Sequence, residues 1–311
     1  MRSTDVLTRA SRPPDQVLRY GEPDDQVADL RLPRAVADGG SVGESVGDAV
    51  GNAVAVGQPP CPLVIFLHGG FWRAGFDRAH TGPLADALAS CGFVVCTPEY
   101  RRTGQPGGGW PGTFHDVAAA VDALPEIVAT AAGGLADASR VVLAGHSAGG
   151  QLALWAAARS SLPADAPWYA ARSPVAGVVS LAGVCDLAAC FRLQLGGGAA
   201  GDLMGGGPEG FPDRYRSADP MQLLPTGTRA WLVHGTADDR VPASLSNAYA
   251  ARARDAGDDV TCDLLAGLSH FEVIDPLSAA WPSVLAAFRL AAGAAEAGPG
   301  RSAAEGFGTL P

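Results

Sequence analysis

Ser147 sits in the pentapeptide Gly145-His146-Ser147-Ala148-Gly149, which fits G-x-S-x-G. A serine hydroxyl attacks a carbonyl carbon efficiently only when a base takes its proton, and the usual base is a histidine oriented by a carboxylate. In doubly wound proteins that use this chemistry the chain order is Ser, then Asp or Glu, then His. Of the six histidines, His234 and His270 follow Ser147. His234 precedes the acids of its own loop, which leaves His270 as the candidate base. Asp238, Asp239 and Asp186 are the candidate acids, since each follows an apolar strand-like run. The developing negative oxygen needs backbone N–H donors aimed at it. Ala148, next after the serine, offers one. The segment His68-Gly69-Gly70-Phe71-Trp72 offers Gly70 and Phe71. Gly69, Trp72 and His146 are the candidate substrate contacts, with the core as the alternative place for Trp72.

The pentapeptide alone is weak, because 41 of 311 residues are glycine and a second match lies at 39–43. Context separates the two. A nucleophile of this kind needs a strand before it and a helix after it. Ser147 follows the β-branched run "RVVLAG" and precedes the Ala/Leu-rich "GQLALWAAAR", whereas the 39–43 match has neither. Strands are expected at 26–33, 63–69, 93–100, 140–145, 175–183, 230–235 and 260–265. Helices are expected near 82–90, 113–131, 150–161, 242–256 and 276–292. Strands alternating with helices imply right-handed crossovers and a mostly parallel α/β sheet covered on both faces. His68 and Tyr100 are expected to pack beneath the loop after the first parallel strand, and Asp116 to be satisfied by a helix N-terminus.

Three stretches stand outside that rhythm. Residues 1–25 are polar and expected to be flexible. Residues 39–59 form a Gly/Val-rich low-complexity insertion. Residues 186–224 are a Gly/Pro-rich excursion, expected to act as a lid. The domain is therefore expected over 26–292, with a disordered tail at 293–311.

The motifs carry a family resemblance. The segments at 68–72 (H-G-G-x-W), 145–149 (G-H-S-A-G), 234–242 (H-G-x-x-D-x-x-V-P) and Ser269-His270-Phe271 with Ile274 resemble the α/β-hydrolase superfamily. Within it the chain looks like the esterase and kynurenine formamidase (arylformamidase) group. The resemblance covers about 26–290 without the insertion. It implies the α/β-hydrolase fold, places the acid on Asp238, and makes Ser147, Asp238 and His270 the triad of a serine hydrolase. The implied substrate is a formyl amide of the N-formylkynurenine kind or a short-chain ester. The rivals are a plain carboxylesterase and, in a different class, a catalytically silent hydrolase-fold binding module.

Composition sets the remaining bounds. The formal charge is −10, which disfavours a nucleic-acid partner. All 22 basic residues are arginine, so Schiff-base lysine chemistry and a P-loop lysine are excluded. Three G-x-G-x-x-G matches (107–112, 196–201, 205–210) lack the strand–turn–helix setting of a dinucleotide site. No cofactor or metal is expected, since the six cysteines make no C-x-x-C pair and no zinc-ligand spacing. The N-terminus has no apolar core of a secretory signal and the chain no membrane-length apolar run. A cytoplasmic protein with a small-molecule substrate is expected, either monomer or homodimer.

Overall fold

The computed structural model describes residues 3–34, 60–171 and 175–293. The insertion, the second G-x-S-x-G match and the tail beyond residue 293 lie outside the described residues. Among those described, eight strands form one sheet: β1 (Gln16–Arg19), β2 (Val27–Arg31), β3 (Cys61–Leu67), β4 (Val94–Pro98), β5 (Ala136–His146), β6 (Val175–Leu181), β7 (Ala230–Gly235) and β8 (Val260–Leu265). Their spatial order is β1-β2-β4-β3-β5-β6-β7-β8. β2 runs antiparallel to β1 and β4, and every other pairing is parallel.

The alternation of side chains along a strand sorts each one between two cores. Leu63, Ile65 and Leu67 of β3 face one side; Val64 and Phe66 face the other. β7 divides likewise, with Leu232 opposite Trp231 and Val233. α2 (Gly112–Ala131), α3 (Ala148–Ala157) and α7 (Ser244–Asp255) cover the first side through Phe114, Trp155 and Tyr249. α1 (Gly82–Ser90) and α8 (Trp281–Ala291) cover the second through Leu88 and Phe288. A sheet buried on both faces explains why its central strands read as continuous apolar runs.

Two expectations are corrected. The N-terminal segment is not a free arm from residue 3 onward. Ser3–Thr8 makes 3-10 turns, β1 pairs with β2, and the Tyr20 hydroxyl donates to the carbonyl of Glu99. Arg9 grips the carboxylate of Asp275 with both terminal nitrogens, one at 2.8 Å. Val6 and Tyr20 are buried in the two cores, with Leu7 and Leu18 packed against them, so apolar burial adds to the backbone pairing and ion pairs. The 186–224 excursion is not an open loop either. It folds into α4 (Leu187–Arg192), α5 (Ala199–Met204) and α6 (Pro212–Ala218). Asp186 caps α4 by accepting the Ala189 N–H at 2.6 Å. Gly198 and Gly205 bracket α5 in left-handed conformation, φ 85° and 79°. Leu187, Cys190, Leu203, Met204 and Tyr215 join the main core. Helices of six or seven residues cut by glycine give too little periodicity to read from sequence.

Candidate active site

β5 ends at His146 and α3 begins at Ala148, so Ser147 is the turn between them, with φ 56° and ψ −117°. That is a strained conformation for a residue with a Cβ, of a kind that clusters at functional sites. The surroundings hold it: the Ser147 N–H donates to Leu181 O at 2.9 Å, and its carbonyl accepts from Val184 at 3.1 Å and Gly150 at 3.0 Å. The flanking glycines are steric requirements. A Cβ on Gly145 would stand 2.1 Å from the carbonyl oxygen of Gly149, and one on Gly149 would stand 2.1 Å from that of Leu67. Gly149→Ala is therefore expected to cost about 3 kcal/mol or more, because the obstacle is strand backbone that cannot swing aside. Urea unfolding checks this; a loss under 1 kcal/mol would mean that helix and strand separate easily.

The loop after β3 lies against this turn. A Cβ on Gly69 would meet His146 Nδ1 at 3.0 Å and Ser147 Cβ at 3.2 Å. Gly70, Phe71 and Trp72 follow with φ 109°, 50° and 56°. Three successive positive φ values need support from below, and a buried polar group supplies it. Tyr100 donates to His68 O at 2.7 Å and stacks on the His68 ring at 4.3 Å. His68 Nε2 lies 2.7 Å from Glu99 Oε1 and Nδ1 lies 2.7 Å from Gly69 O. Burial opposes the Glu99 charge, but His68, Arg102 and the Arg78 N–H outweigh it and hold the carboxyl below its usual range. Gly69 thus lies against the Ser147 turn, and Ala148 stands in the first turn of α3, where N–H groups lack intrahelical partners.

Asp238 and His270 come from the loops after β7 and β8. A Cβ on Gly235 would stand 2.1 Å from Leu268 O, so glycine lets the two loops touch. His270 Nδ1 is 2.6 Å from Asp238 Oδ2. Asp238 Oδ1 accepts the N–H groups of Arg240 and Val241, both at 2.8 Å. Burial works against ionisation of Asp238, yet the hydrogen bonds from His234 and His270 prevail and hold its carboxyl far below the usual range. The rival acids point elsewhere: Asp186 caps α4, and Asp239 is exposed beside Arg240. Asp116 is buried and takes two bonds from the Arg101 guanidinium and one from Gln26, so an ion pair rather than a helix end satisfies it.

The three expected substrate contacts are all buried, as Ser147 itself is. Trp72 is fully buried, its indole N–H donating to Gln151 Oε1 at 3.1 Å. Gly69 is buried against the Ser147 turn. His146 is 1% exposed, and its Nε2 donates to His270 O at 3.0 Å while the rings pack 4.6 Å apart. Burial and the neighbouring His270 push the His146 pKa well below the usual histidine value, so it stays neutral and props the His270 loop. Phe71 is half-buried, and its ring fills the place where a Cβ on Gly196 would go, 2.7 Å away. That contact brings the 186–224 helices against the loop after β3, as does Arg73 Nη2 with Asp202 at 2.9 Å. Sequence reasoning missed His234, whose Nε2 lies 3.1 Å from Asp238 Oδ2. Its spacing of four residues from the acid was the available signal.

Among the described residues, no group of three or more His, Cys, Asp or Glu side chains is disposed to hold a metal ion, and no helix is long and apolar enough to cross a membrane. The profile of the BD-FAE family matches residues 53–252, well over half of the chain. The chain belongs to the BD-FAE family. The matched region includes Ser147 and Asp238 and ends before His270. Esterase LipQ of Mycobacterium tuberculosis is 27% identical over 207 residues, covering 63% of this chain and 46% of the relative. The probable isoprenylcysteine alpha-carbonyl methylesterase ICME of Oryza sativa subsp. japonica is 28% identical over 237 residues, covering 71% and 54%. The chain spans about half the length of these curated relatives. Among solved structures, esterase B from Lactobacillus Rhamnosis superposes with a TM-score of 0.70 at 20% identity, covering 93% of this chain and 89% of that one. A truncated carbohydrate esterase from gut microbiota gives 0.68 at 18% identity, covering 90% and 99%. The architecture of this BD-FAE protein is the α/β-hydrolase fold.

Proposed function

We propose that the protein is a serine esterase acting on small carboxylic esters. Ser147 Oγ attacks the ester carbonyl as His270 takes its proton, and Asp238 orients His270. The N–H groups of Gly70, Phe71 and Ala148 carry the oxyanion, each worth about 3 kcal/mol of barrier. The tetrahedral intermediate collapses to acyl-Ser147, and the alcohol leaves with the proton from His270. Water, deprotonated by His270, then releases the acid and restores Ser147. The observation that carries this reading is the 2.6 Å Asp238–His270 bond beside a serine held in strained conformation at a strand–helix turn.

The esterase names of the curated relatives put an ester first. A formyl amide on an aromatic amine is the finer alternative, supported by the resemblance at 68–72 and 269–274. Turnover of p-nitrophenyl acetate and butyrate against N-formylkynurenine separates them. The esters are expected to be hydrolysed with the higher kcat/KM, and a fluorophosphonate probe to label Ser147 as mapped by peptide mass. Preferential cleavage of the formyl amide would shift the reading to an arylformamidase. Absence of both labelling and turnover would leave a silent binding module.

A further inference from the structure

The carboxylate of Asp238 is shared by two imidazoles, and the second belongs to a buried line of polar groups. His234, Ser246 and Cys185 are all fully buried. His234 Nε2 faces two acceptors, Asp238 Oδ2 at 3.1 Å and Val241 O at 2.9 Å. A nitrogen between a carboxylate and a carbonyl must carry the proton, so Nε2 is the donor. Nδ1 is then a lone pair, and the Ser246 hydroxyl, 2.7 Å away, donates to it. Ser246 Oγ in turn lies 3.7 Å from the Cys185 thiol. The direction is fixed from Asp238 through His234 to Ser246, while the Cys185 thiol donates to Gly183 O at 3.4 Å; hydrogen bonds linked in this way polarise one another in a low-dielectric interior.

We propose that His234 is a positioning residue: its Nε2–H tethers Asp238 Oδ2 and draws off part of the carboxylate's charge, which sets how strongly Asp238 holds His270. This rests on the reading of Asp238 and His270 given above. An apolar side chain could fill the same space, but it could neither tether Oδ2 nor drain its charge. The titratable groups packed around the pair are Asp238 itself, His146 from the Ser147 turn, Cys185 behind Ser246, and Glu272, which Ser269 engages at 2.7 Å. None of these other groups donates to Asp238 Oδ2.

The test is the pH profile of kcat/KM for the full chain on p-nitrophenyl butyrate, comparing wild type, His234→Leu and His234→Gln. Without the donor, the Asp238 carboxylate holds the His270 proton more tightly. His234→Leu is expected to move the acid limb to higher pH by about half a unit or more and to lower kcat about tenfold, with KM little changed. Gln can present its Nε2–H at the place of the imidazole Nε2–H, so His234→Gln is expected to restore both. Equal losses in the two variants with no movement of the acid limb would overturn the proposal and reduce His234 to packing. Should the Leu variant not fold, imidazole 15N spectra of the wild-type protein decide. His234 is expected to carry a proton on Nε2, facing Asp238 Oδ2 and Val241 O; a tautomer protonated on Nδ1 alone would overturn the proposal. The spectra do not depend on turnover, so a failure of the esterase reading, seen as an unlabelled Ser147, is told apart from a failure here.

Discussion

Ser147→Ala is expected to lower kcat on short esters by about six orders of magnitude, with KM nearly unchanged. The hydroxyl is the one group proposed to form a covalent bond, and the ground-state complex gains little from it. The variant should fold normally, because Ala has the same Cβ at φ 56° and the backbone bonds to Leu181, Gly150 and Val184 remain. Adding His270→Ala to Ser147→Ala should cost almost nothing more, since a base without its nucleophile has nothing to activate. Kinetics on both variants, with thermal melts to verify folding, check this. A single variant that keeps more than about a thousandth of wild-type kcat would exceed what oxyanion stabilisation and binding alone supply, and Ser147 would not be the nucleophile.

The parts of the candidate site that could be read from sequence are those where chemistry and backbone make the same demand. Gly145, Gly149 and Gly235 each lack a Cβ where another backbone oxygen lies 2.1 Å from its place, so these glycines mark close approach as well as motif. The strand runs were legible because β3 to β7 are buried on both faces. The parts that were not legible depend on contacts between distant segments. Trp72 belongs to the core because Gln151, on α3, accepts its N–H. Residues 3–25 are ordered in part because Asp275, 266 positions from Arg9, meets its guanidinium. α4 and α5 hold together through capping by Asp186 and glycine turns rather than by periodicity. His234 shows the limit most clearly: a histidine opening an H-G-x-x-D segment reads as a strand end, and only the fold turns its ring back onto the acid.

Asp238→Asn is expected to reduce kcat about ten-thousandfold while leaving the geometry nearly intact. The reason lies in proton positions. The two N–H groups of Arg240 and Val241 fix where an acceptor oxygen must sit, so the amide oxygen takes the place of Oδ1. The amide NH2 then replaces Oδ2 and faces His270 Nδ1. Donor cannot meet donor, so His270 must turn Nδ1 into a lone pair and carry its proton on Nε2, the nitrogen proposed to receive the Ser147 proton. The same substitution has a pH signature in stability. The folded carboxyl lies well below its ordinary value of 3.8. A depressed acid contributes stability that is fully present above the unfolded value and is lost as pH falls toward the folded one. Urea unfolding should thus find wild type ahead of Asp238→Asn at pH values above 3.8. Below pH 3.8 that margin should shrink by about 1.4 kcal/mol for each further unit. A margin that ignores pH would mean that the two imidazoles do not hold Asp238 ionised. Unimpaired turnover in the Asn variant would mean that His270 takes its orientation from elsewhere.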